Sequence, residues 1–516
     1  MNRNQGDQFI FIQAPSYRKP RATSIKSKKT DPLAMPYGGL YLAESLMRKN
    51  ISMCILLGEI EELTAQISQH VGQNTIAFGM SSYSGDMLKS ALIIARYLRT
   101  NYPNIPIVWG GVHVTAVRTG SLIHELVDFI AWGEGEQSTP QLLEAISNGS
   151  KPEDLKNIKG IGYKVNGKTF ITPSQPATPL NRSFNLPYHL VDMERVKRKM
   201  LIGCERFFGV TSSRGCPFRC TFCSNSSTSN PLAANLRYHA IDDVVQNISV
   251  LVNKYGADCI GFQDEVTVVE KKRIVELCDG LRSLGKDIKF RMQTTISTIL
   301  RWDDELLKYL RDNNFVALDY GVESGSDRIL KFIGKKITVK QIHEAQRRLK
   351  NMGFYQSYNM LFCLPTETVV EMKESVRMFV HMARETKYCP YPFSRMEPYI
   401  PLPDTLLYNI AMKHGFVPPT TMEGWTEFDS QQFAERRKRL RPWLSEEKAY
   451  FAALILKASD TISDLFTGPD ANHDLIDYHL NEMEKLIDYP LEDIIDKKTQ
   501  MIDHSEDLKW KRSSFI

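Results

Sequence analysis

The amino-acid sequence predicts an α/β protein with two successive sheets. A doubly wound, Rossmann-like domain is followed by a partial (βα)6 barrel of the TIM type and then by a helical C-terminal segment. Short apolar runs alternate with amphipathic segments in both halves of the 516-residue chain, and a Pro-rich stretch separates the two series. We therefore expect a Rossmann-like domain at 8–157, a linker at 158–200, the barrel at 201–425 and a helical region at 426–516.

The composition is that of an ordinary globular protein, with 42% hydrophobic and 24% charged residues. The net charge of +5 does not demand an acidic partner, and the basic runs at 18–29 and 435–442 lack the interleaved aromatic residues typical of single-stranded nucleic-acid sites. No nucleic-acid partner is predicted. No apolar stretch reaches the roughly 18 residues of a membrane span, and the N-terminal apolar run is too short for a signal peptide. Most of the nine cysteines are isolated, which favours a reducing, cytoplasmic setting.

The first series of apolar runs predicts a parallel sheet. The runs are "FIFIQAP" (9–15), "SMCILLG" (52–58), "TIAFGM" (75–80), "IPIVWGG" (105–111) and "VDFIAW" (127–132). In such sheets, ligands bind beyond the carboxyl ends of the strands. The loops at those ends are "SSYS" (81–84), "GGVH" (110–113) and "GEGE" (133–136). An ordinary turn would explain any one of them. Three Gly-rich or polar loops at one edge predict a large polar ligand.

The second series contains six strand–helix repeats. Its strands are expected at "FFGVTSS" (207–213), "CIGFQDE" (259–265), "IKFRMQT" (288–294), "FVALDYGVES" (315–324), "YQSYNMLFCLP" (355–365) and "PFSRMEPYI" (392–400). In a barrel of this kind, the chemistry takes place at the carboxyl ends of the strands.

Three cysteines, Cys216, Cys220 and Cys223, follow the first of these strands with the spacing C-x3-C-x2-C. A structural zinc site needs four ligands, usually in two pairs, and no second C-x2-C is present. A disulfide framework is disfavoured in a reducing compartment. A thioredoxin-like C-x-x-C would leave Cys216 without a role. An iron–sulfur cluster held by three thiolates leaves one iron open for a substrate or cofactor, and this interpretation fits best.

With Phe222 before the last cysteine, this segment resembles the radical S-adenosylmethionine (SAM) superfamily over about 202–425. The resemblance implies that the three cysteines are the catalytic ligands of a [4Fe-4S] cluster whose open iron binds SAM. A reductant such as flavodoxin or ferredoxin would supply one electron, and SAM would split into methionine and a 5′-deoxyadenosyl radical. The segment "NMLFCLPTET" (359–368) resembles the adenine-binding segment of the family. The implied SAM contacts are Phe222, Asp264, Glu265, Glu323 and Ser324.

A Rossmann-like domain ahead of this core resembles the cobalamin-binding subclass of the superfamily, over about 8–150. The Asp-x-His-x-x-Gly signature is absent, and the first histidine in the chain is His70, so the resemblance implies base-off binding. The candidate cobalamin contacts are Ser81, Ser82, Gly110, Gly111, His113, Gly133 and Glu134.

The two resemblances together imply methylation of an unactivated carbon, in a small-molecule or peptide substrate, by way of methylcobalamin. One alternative is a cyclisation or rearrangement with the same cofactors. Two others are a radical enzyme whose N-terminal domain is only a scaffold, and a non-catalytic iron–sulfur sensor. Methylthiotransferases usually carry three further cluster cysteines in the N-terminal domain. Only Cys54 precedes Cys204 here, which argues against that class.

Overall fold

The computed structural model describes residues 6–16, 33–180, 184–200, 203–227, 230–386, 395–428, 439–467, 473–488 and 490. The basic run at 18–29, the first half of the run at 435–442, Cys389 and residues 491–516 lie outside the described residues. Among the described helices, none has the length and apolar character needed to cross a membrane.

The first sheet contains seven strands in the order β2-β1-β3-β4-β5-β6-β7. The strands are β1 (Gln8–Gln13), β2 (Ser52–Leu57), β3 (Thr75–Ser81), β4 (Ile107–Gly110), β5 (Phe129–Ala131), β6 (Ile161–Val165) and β7 (Lys168–Ile171). Strands β1 to β5 pair in parallel, as predicted. The hairpin β6–β7, which lies in the segment expected to be a linker, continues the same sheet in antiparallel pairing.

Helices cover this sheet. They are α1 (Tyr37–Met47), α2 (Ile60–His70), α3 (Asp86–Asn101), α4 (Val112–Ala116), α5 (Arg118–Leu122), α6 (Gly135–Ser147) and α7 (Pro152–Leu155). Phe9, Ile10, Phe11 and Ile12 are all buried, because consecutive side chains of β1 point to opposite faces and both faces are covered. Helix α3 buries Leu88, Ala91, Ala95 and Leu98, which recur every three or four residues along one face.

The second sheet has the order β16-β15-β14-β13-β12-β9-β8 and forms the predicted partial barrel. The remaining strands are β8 (Arg198–Met200), β9 (Cys204–Val210), β10 (Ser213–Arg214), β11 (Arg237–Tyr238), β12 (Cys259–Phe262), β13 (Lys289–Thr294), β14 (Phe315–Glu323), β15 (Tyr355–Phe362) and β16 (Met396–Pro398). Six strands are parallel, β8 is antiparallel at one edge, and β10 pairs with β11 in a separate ribbon.

The remaining helices are α8 (Met193–Val196), α9 (Ile241–Tyr255), α10 (Lys271–Arg282), α11 (Ile296–Arg301), α12 (Asp304–Asp312), α13 (Asp327–Phe332), α14 (Val339–Asn351), α15 (Val369–Thr386), α16 (Leu406–Lys413), α17 (Met422–Trp425), α18 (Glu446–Thr467) and α19 (His473–Asp488). One continuous apolar core includes Phe9 and Tyr41 of the first unit and Phe208 of the barrel. The two sheets are therefore packed together rather than merely tethered.

Candidate active site

The cysteine loop begins where β9 ends and its conformation depends on a glycine. Gly215 has a φ of +83°, and a Cβ there would lie 2.3 Å from the carbonyl oxygen of Asn235. Any other residue would clash with this backbone atom. The next residue, Cys216, donates its N–H to the carbonyl oxygen of Ala233 at 3.1 Å.

The rest of the loop is held by backbone hydrogen bonds. The N–H of Cys223 donates to the carbonyl oxygen of Cys220 at 3.1 Å, and the N–H of Thr221 donates to the carbonyl oxygen of Ile333 at 2.9 Å. The N–H of Leu407 donates to the carbonyl oxygen of Thr221 at 2.9 Å. The loop is therefore fixed by two other parts of the barrel unit before any ligand binds.

The three thiols are half-buried. Burial raises the pKa of Cys216 and Cys220, and it raises the pKa of Cys223 to about 11. Raised pKa values keep the thiols protonated, which argues against a free nucleophile; a bound metal would have to replace these protons. Among the described residues, no group of three or more His, Cys, Asp or Glu is arranged around a single metal ion.

A cavity of about 420 Å³ lies between the two sheets, beside this loop. The barrel contributes Gly215 before Cys216 and Ser224 and Asn225 after Cys223, and the N-terminal domain contributes loops at the carboxyl ends of β3, β4 and β5. The volume falls within the roughly 300–1,000 Å³ of small-molecule sites. The remaining lining residues are Tyr83, Ser84, Gly111, Val112, His113, Thr115, Ala116, Gly133, Glu134, Arg214, Ser227, Asn230, Ala233, Arg237, Glu265, Leu402, Pro403 and Asp404.

The glycines of the N-terminal edge shape this cavity. Gly111 has a φ of +92°, and a Cβ there would lie 2.7 Å from the Ser81 Oγ. Gly133 has a φ of +76°, and a Cβ there would meet no atom within 4 Å. Its backbone is therefore open to a ligand. Ser82, which is fully buried, and Gly110 lie behind the surface: the N–H of Ser82 donates to the carbonyl oxygen of Gly110 at 3.3 Å.

His113 is 1% exposed, and burial lowers its pKa to about 4. Its Nδ1 is hydrogen bonded to the Ser84 Oγ at 2.8 Å. Its Nε2 is enclosed by protein without a hydrogen-bond partner, and Trp425 packs against the ring at 5.8 Å. Neither nitrogen is presented to the cavity, so His113 shapes the wall.

Glu134 joins the two sides of the cavity. Its carboxylate forms an ion pair with Arg237, accepts the N–H of Thr178 at 2.8 Å and lies 3.8 Å from Arg214. Burial opposes ionisation, but these cations and hydrogen bonds hold the pKa of Glu134 below its usual range. Arg214 also forms an ion pair with Glu136 at 2.6 Å. Both acids therefore connect the N-terminal domain to the β10–β11 ribbon that flanks the cysteines.

The two predicted acids after β12 differ in their surroundings. The Oδ1 of Asp264 accepts the N–H groups of Ser212 and Ser213, at 2.7 Å and 3.0 Å, and its Oδ2 accepts the Ser212 hydroxyl at 2.7 Å. Asp264 is 1% exposed. Glu265 is exposed and lines the cavity. Of this pair, Glu265 is the residue placed to contact a ligand.

The other predicted SAM residues lie deeper in the barrel unit. Glu323 has a φ of +69° and is paired with Lys335 at 3.0 Å. The Ser324 Oγ is 3.0 Å from the Ser375 Oγ. Phe222 is half-buried against apolar residues. In the 359–368 segment, Cys363 and Thr366 also have positive φ values of 66° and 69°, in a conformation that glycine adopts more readily.

Comparison with known proteins agrees with this architecture. The Radical SAM superfamily matches residues 210–379, which include all three cysteines of the loop. Residues 210–379 therefore form a radical SAM domain. An "Uncharacterized methyltransferase" of Pyrococcus horikoshii is 29% identical over 84% of this chain and 90% of its own length. The "Anaerobic magnesium-protoporphyrin IX monomethyl ester cyclase" of Rubrivivax gelatinosus is 27% identical over 61% of this chain and 57% of its own.

A solved structure shares the fold of this chain across both domains. It is the radical S-adenosylmethionine methyltransferase TsrM of Kitasatospora setae, with cobalamin and a [4Fe-4S] cluster bound. The TM-score is 0.62, with 13% identity, over 93% of this chain and 98% of that chain. This likeness confirms the predicted fold class, and the family match at residues 210–379 confirms the predicted radical SAM core.

Several residues of this site were not predicted from the sequence. Tyr83 and Asp404 line the cavity, as do Arg214 and Arg237, and Lys335 lies beneath the cysteine loop. The position of Arg214, two residues before Cys216, was an available signal. No local pattern indicated Arg237, Asp404 or Lys335, because each reaches the site only through the tertiary fold.

Proposed function

We propose that this protein is a cobalamin-dependent radical SAM methyltransferase that acts on an unactivated carbon of a small-molecule or peptide substrate. The observation that carries the proposal is the shared cavity, which has the cysteine loop on one side and the edge of the Rossmann-like sheet on the other. A radical generated at the first side and a methyl group held at the second could both reach one substrate there.

The candidate cofactor-binding residues form two groups, one on each side of the cavity. Cys216, Cys220 and Cys223 would hold the cluster, because they are half-buried and lie close together on one loop whose backbone is fixed by hydrogen bonds. Gly111 and Gly133 would let the corrin approach the backbone. We propose that the cobalamin site belongs to 8–157 and the cluster and SAM sites to 201–425.

When bound, the cluster and SAM supply the 5′-deoxyadenosyl radical, and cobalamin supplies the methyl group. The chain's own part is to position these groups and to shield them. Glu265 faces the cavity and is our candidate for the amino group of SAM. Phe222, Glu323 and Ser324 remain candidates from the barrel side, whereas Asp264 would act by holding the turn at Ser212.

An external electron donor such as flavodoxin or ferredoxin would reduce the cluster. We place the reaction in the cytoplasm, where disulfides are not expected, and the eight described cysteines form none in the structure.

Anaerobic reconstitution followed by iron and cobalt analysis tests the cofactor set. About four irons and one cobalt per chain are expected. Iron without cobalt, after cobalamin has been supplied, would remove the methyl-transfer step. A chain that binds no iron would refute the whole proposal.

The similarity to the cyclase supports a second candidate, a ring-forming enzyme with the same cofactors. The two differ in the fate of SAM. A methyltransferase also uses SAM as the methyl donor and releases S-adenosylhomocysteine, whereas a cyclase releases only methionine and 5′-deoxyadenosine. With reductant and cobalamin present, we expect S-adenosylhomocysteine. Its absence, with 5′-deoxyadenosine still formed, would favour the cyclase.

A further inference from the structure

Lys335 reaches the cysteine loop through a turn that packs directly on it. The turn follows α13, and the carbonyl oxygen of Ile333 accepts the N–H of Thr221 at 2.9 Å. Gly334 has a φ of +72°, and a Cβ there would lie 3.1 Å from the carbonyl oxygen of Arg219. Lys335 is therefore held against the residues between the first and third cysteines.

The Lys335 ammonium lies inside the protein rather than at its surface. Its side chain is 12% exposed, and its Nζ lies 3.0 Å from the Oε1 of Glu323, which is 8% exposed. A Cβ at Gly321 would lie 2.5 Å from this Nζ, so a glycine is needed to make room for the pair. A buried ion pair of this kind is costly to form, which suggests a role other than stability.

The ion pair lies beside the loop that carries the thiols. Ile333 and Gly334, which directly precede Lys335, contact Thr221 and Arg219 between the first and third cysteines. Glu323 is held at the same place by its 3.0 Å contact with Lys335. One cation and one anion therefore lie next to the loop that holds the three sulfurs.

We propose that the Lys335–Glu323 pair sets the reduction potential of the cluster held by the three cysteines. This inference rests on the proposed cluster-binding role of those residues. One electron from the external reductant adds one negative charge to a cluster that three thiolates already make anionic. A buried ammonium nearby stabilises the reduced form, and a buried carboxylate destabilises it. Lys335 therefore acts indirectly, through the effect of its charge on the cluster.

The test is an EPR-monitored redox titration of the reconstituted full-length chain without SAM. Lys335→Met should shift the midpoint potential to more negative values, and Glu323→Gln should shift it to less negative values. The matched control is Lys336→Met, which removes the same charge from the adjacent, exposed residue and should leave the potential unchanged. Equal potentials for Lys335→Met and Lys336→Met would overturn the inference.

If Lys335→Met does not retain iron, Glu323→Gln decides the matter, because it changes the charge balance while keeping the lysine. An unchanged potential in that variant would also refute the role of the pair. Failure of the proposed cluster-binding role is distinct, because the wild-type protein would then hold no cluster at all. Iron at the wild-type level with identical potentials in all variants would refute only this inference.

Discussion

The cysteine loop and the edge of the N-terminal sheet form two sides of one cavity, but they are built differently. In the loop, the three candidate ligands lie within eight residues and their side chains carry the chemistry. At the sheet edge, three separate loops converge, and Gly111 and Gly133 contribute mainly backbone. The side chain of Glu134 is already engaged by Arg237. A metal cluster needs particular atoms, whereas a large planar cofactor needs a shaped space.

The largest expected effect lies on the loop side. Cys220→Ala should abolish reductive SAM cleavage and lower the iron content, because the cluster loses one of three thiolates. Cys54→Ala is the matched control, since Cys54 is also half-buried but lies in β2 of the other unit. Iron analysis and 5′-deoxyadenosine formation measure both. Retained cleavage in the Cys220 variant would contradict the cluster assignment.

On the sheet side, loss of space should matter more than loss of any polar group. Val112 is 42% exposed and lines the cavity. Val112→Trp should weaken cobalamin binding by about tenfold or more, a change of about 1.4 kcal/mol, and should leave the iron content unchanged. Val417→Trp is the control, because Val417 is exposed in a different surface depression. Cobalamin titration followed by absorbance measures the effect. Equal affinities in the two variants would place the cofactor elsewhere.

The same contrast explains what the sequence could predict. Cys216, Cys220 and Cys223 were recognisable because their spacing is local, and the alternation of strands and helices indicated both sheets. At the N-terminal edge, the loops could be placed but not the direction of their side chains. Ser82 is buried behind the wall, whereas its neighbour Tyr83 lines the cavity. That difference depends on how the loop packs against the barrel.

A third effect concerns the contact between the two regions. Glu136→Gln removes the negative charge that is paired with Arg214 at 2.6 Å. Both side chains are largely buried, with 8% of Glu136 and 19% of Arg214 exposed. Breaking a buried pair costs about 3–5 kcal/mol. Because glutamine keeps an oxygen acceptor, we expect Glu136→Gln to lower the free energy of unfolding by about 2 kcal/mol.

The matched control for this pair is Asp312→Asn, which breaks the exposed pair between Lys308 and Asp312. It should cost less than about 0.5 kcal/mol. Denaturant unfolding compares the two variants. Similar losses in both would mean that the Glu136–Arg214 pair does not hold the domains together.

The smallest effect is a pH dependence behind the cysteine loop. Burial raises the pKa of Asp264 to about 7 from 3.8, although hydrogen bonds from Ser212 and Ser213 oppose this. The protonated carboxyl is thus favoured in the folded state. Its contribution to stability is present below about pH 4 and is lost as the pH rises through about 7. Asp264→Asn has no such loss, because asparagine does not titrate.

The stability of Asp264→Asn relative to wild type should therefore increase by about 1 kcal/mol or more between about pH 5.5 and 8, since each pKa unit corresponds to about 1.4 kcal/mol. Asp312→Asn, which changes an exposed acid away from this carboxyl, should keep the wild-type profile. Denaturant unfolding at both pH values makes the comparison. If the difference in the free energy of unfolding between Asp264→Asn and wild type were the same at both pH values, this carboxyl would be ionised in the folded protein. Asp264 would then be an anion beside the site, and the distinction drawn between Asp264 as a structural residue and Glu265 as a ligand contact would fail.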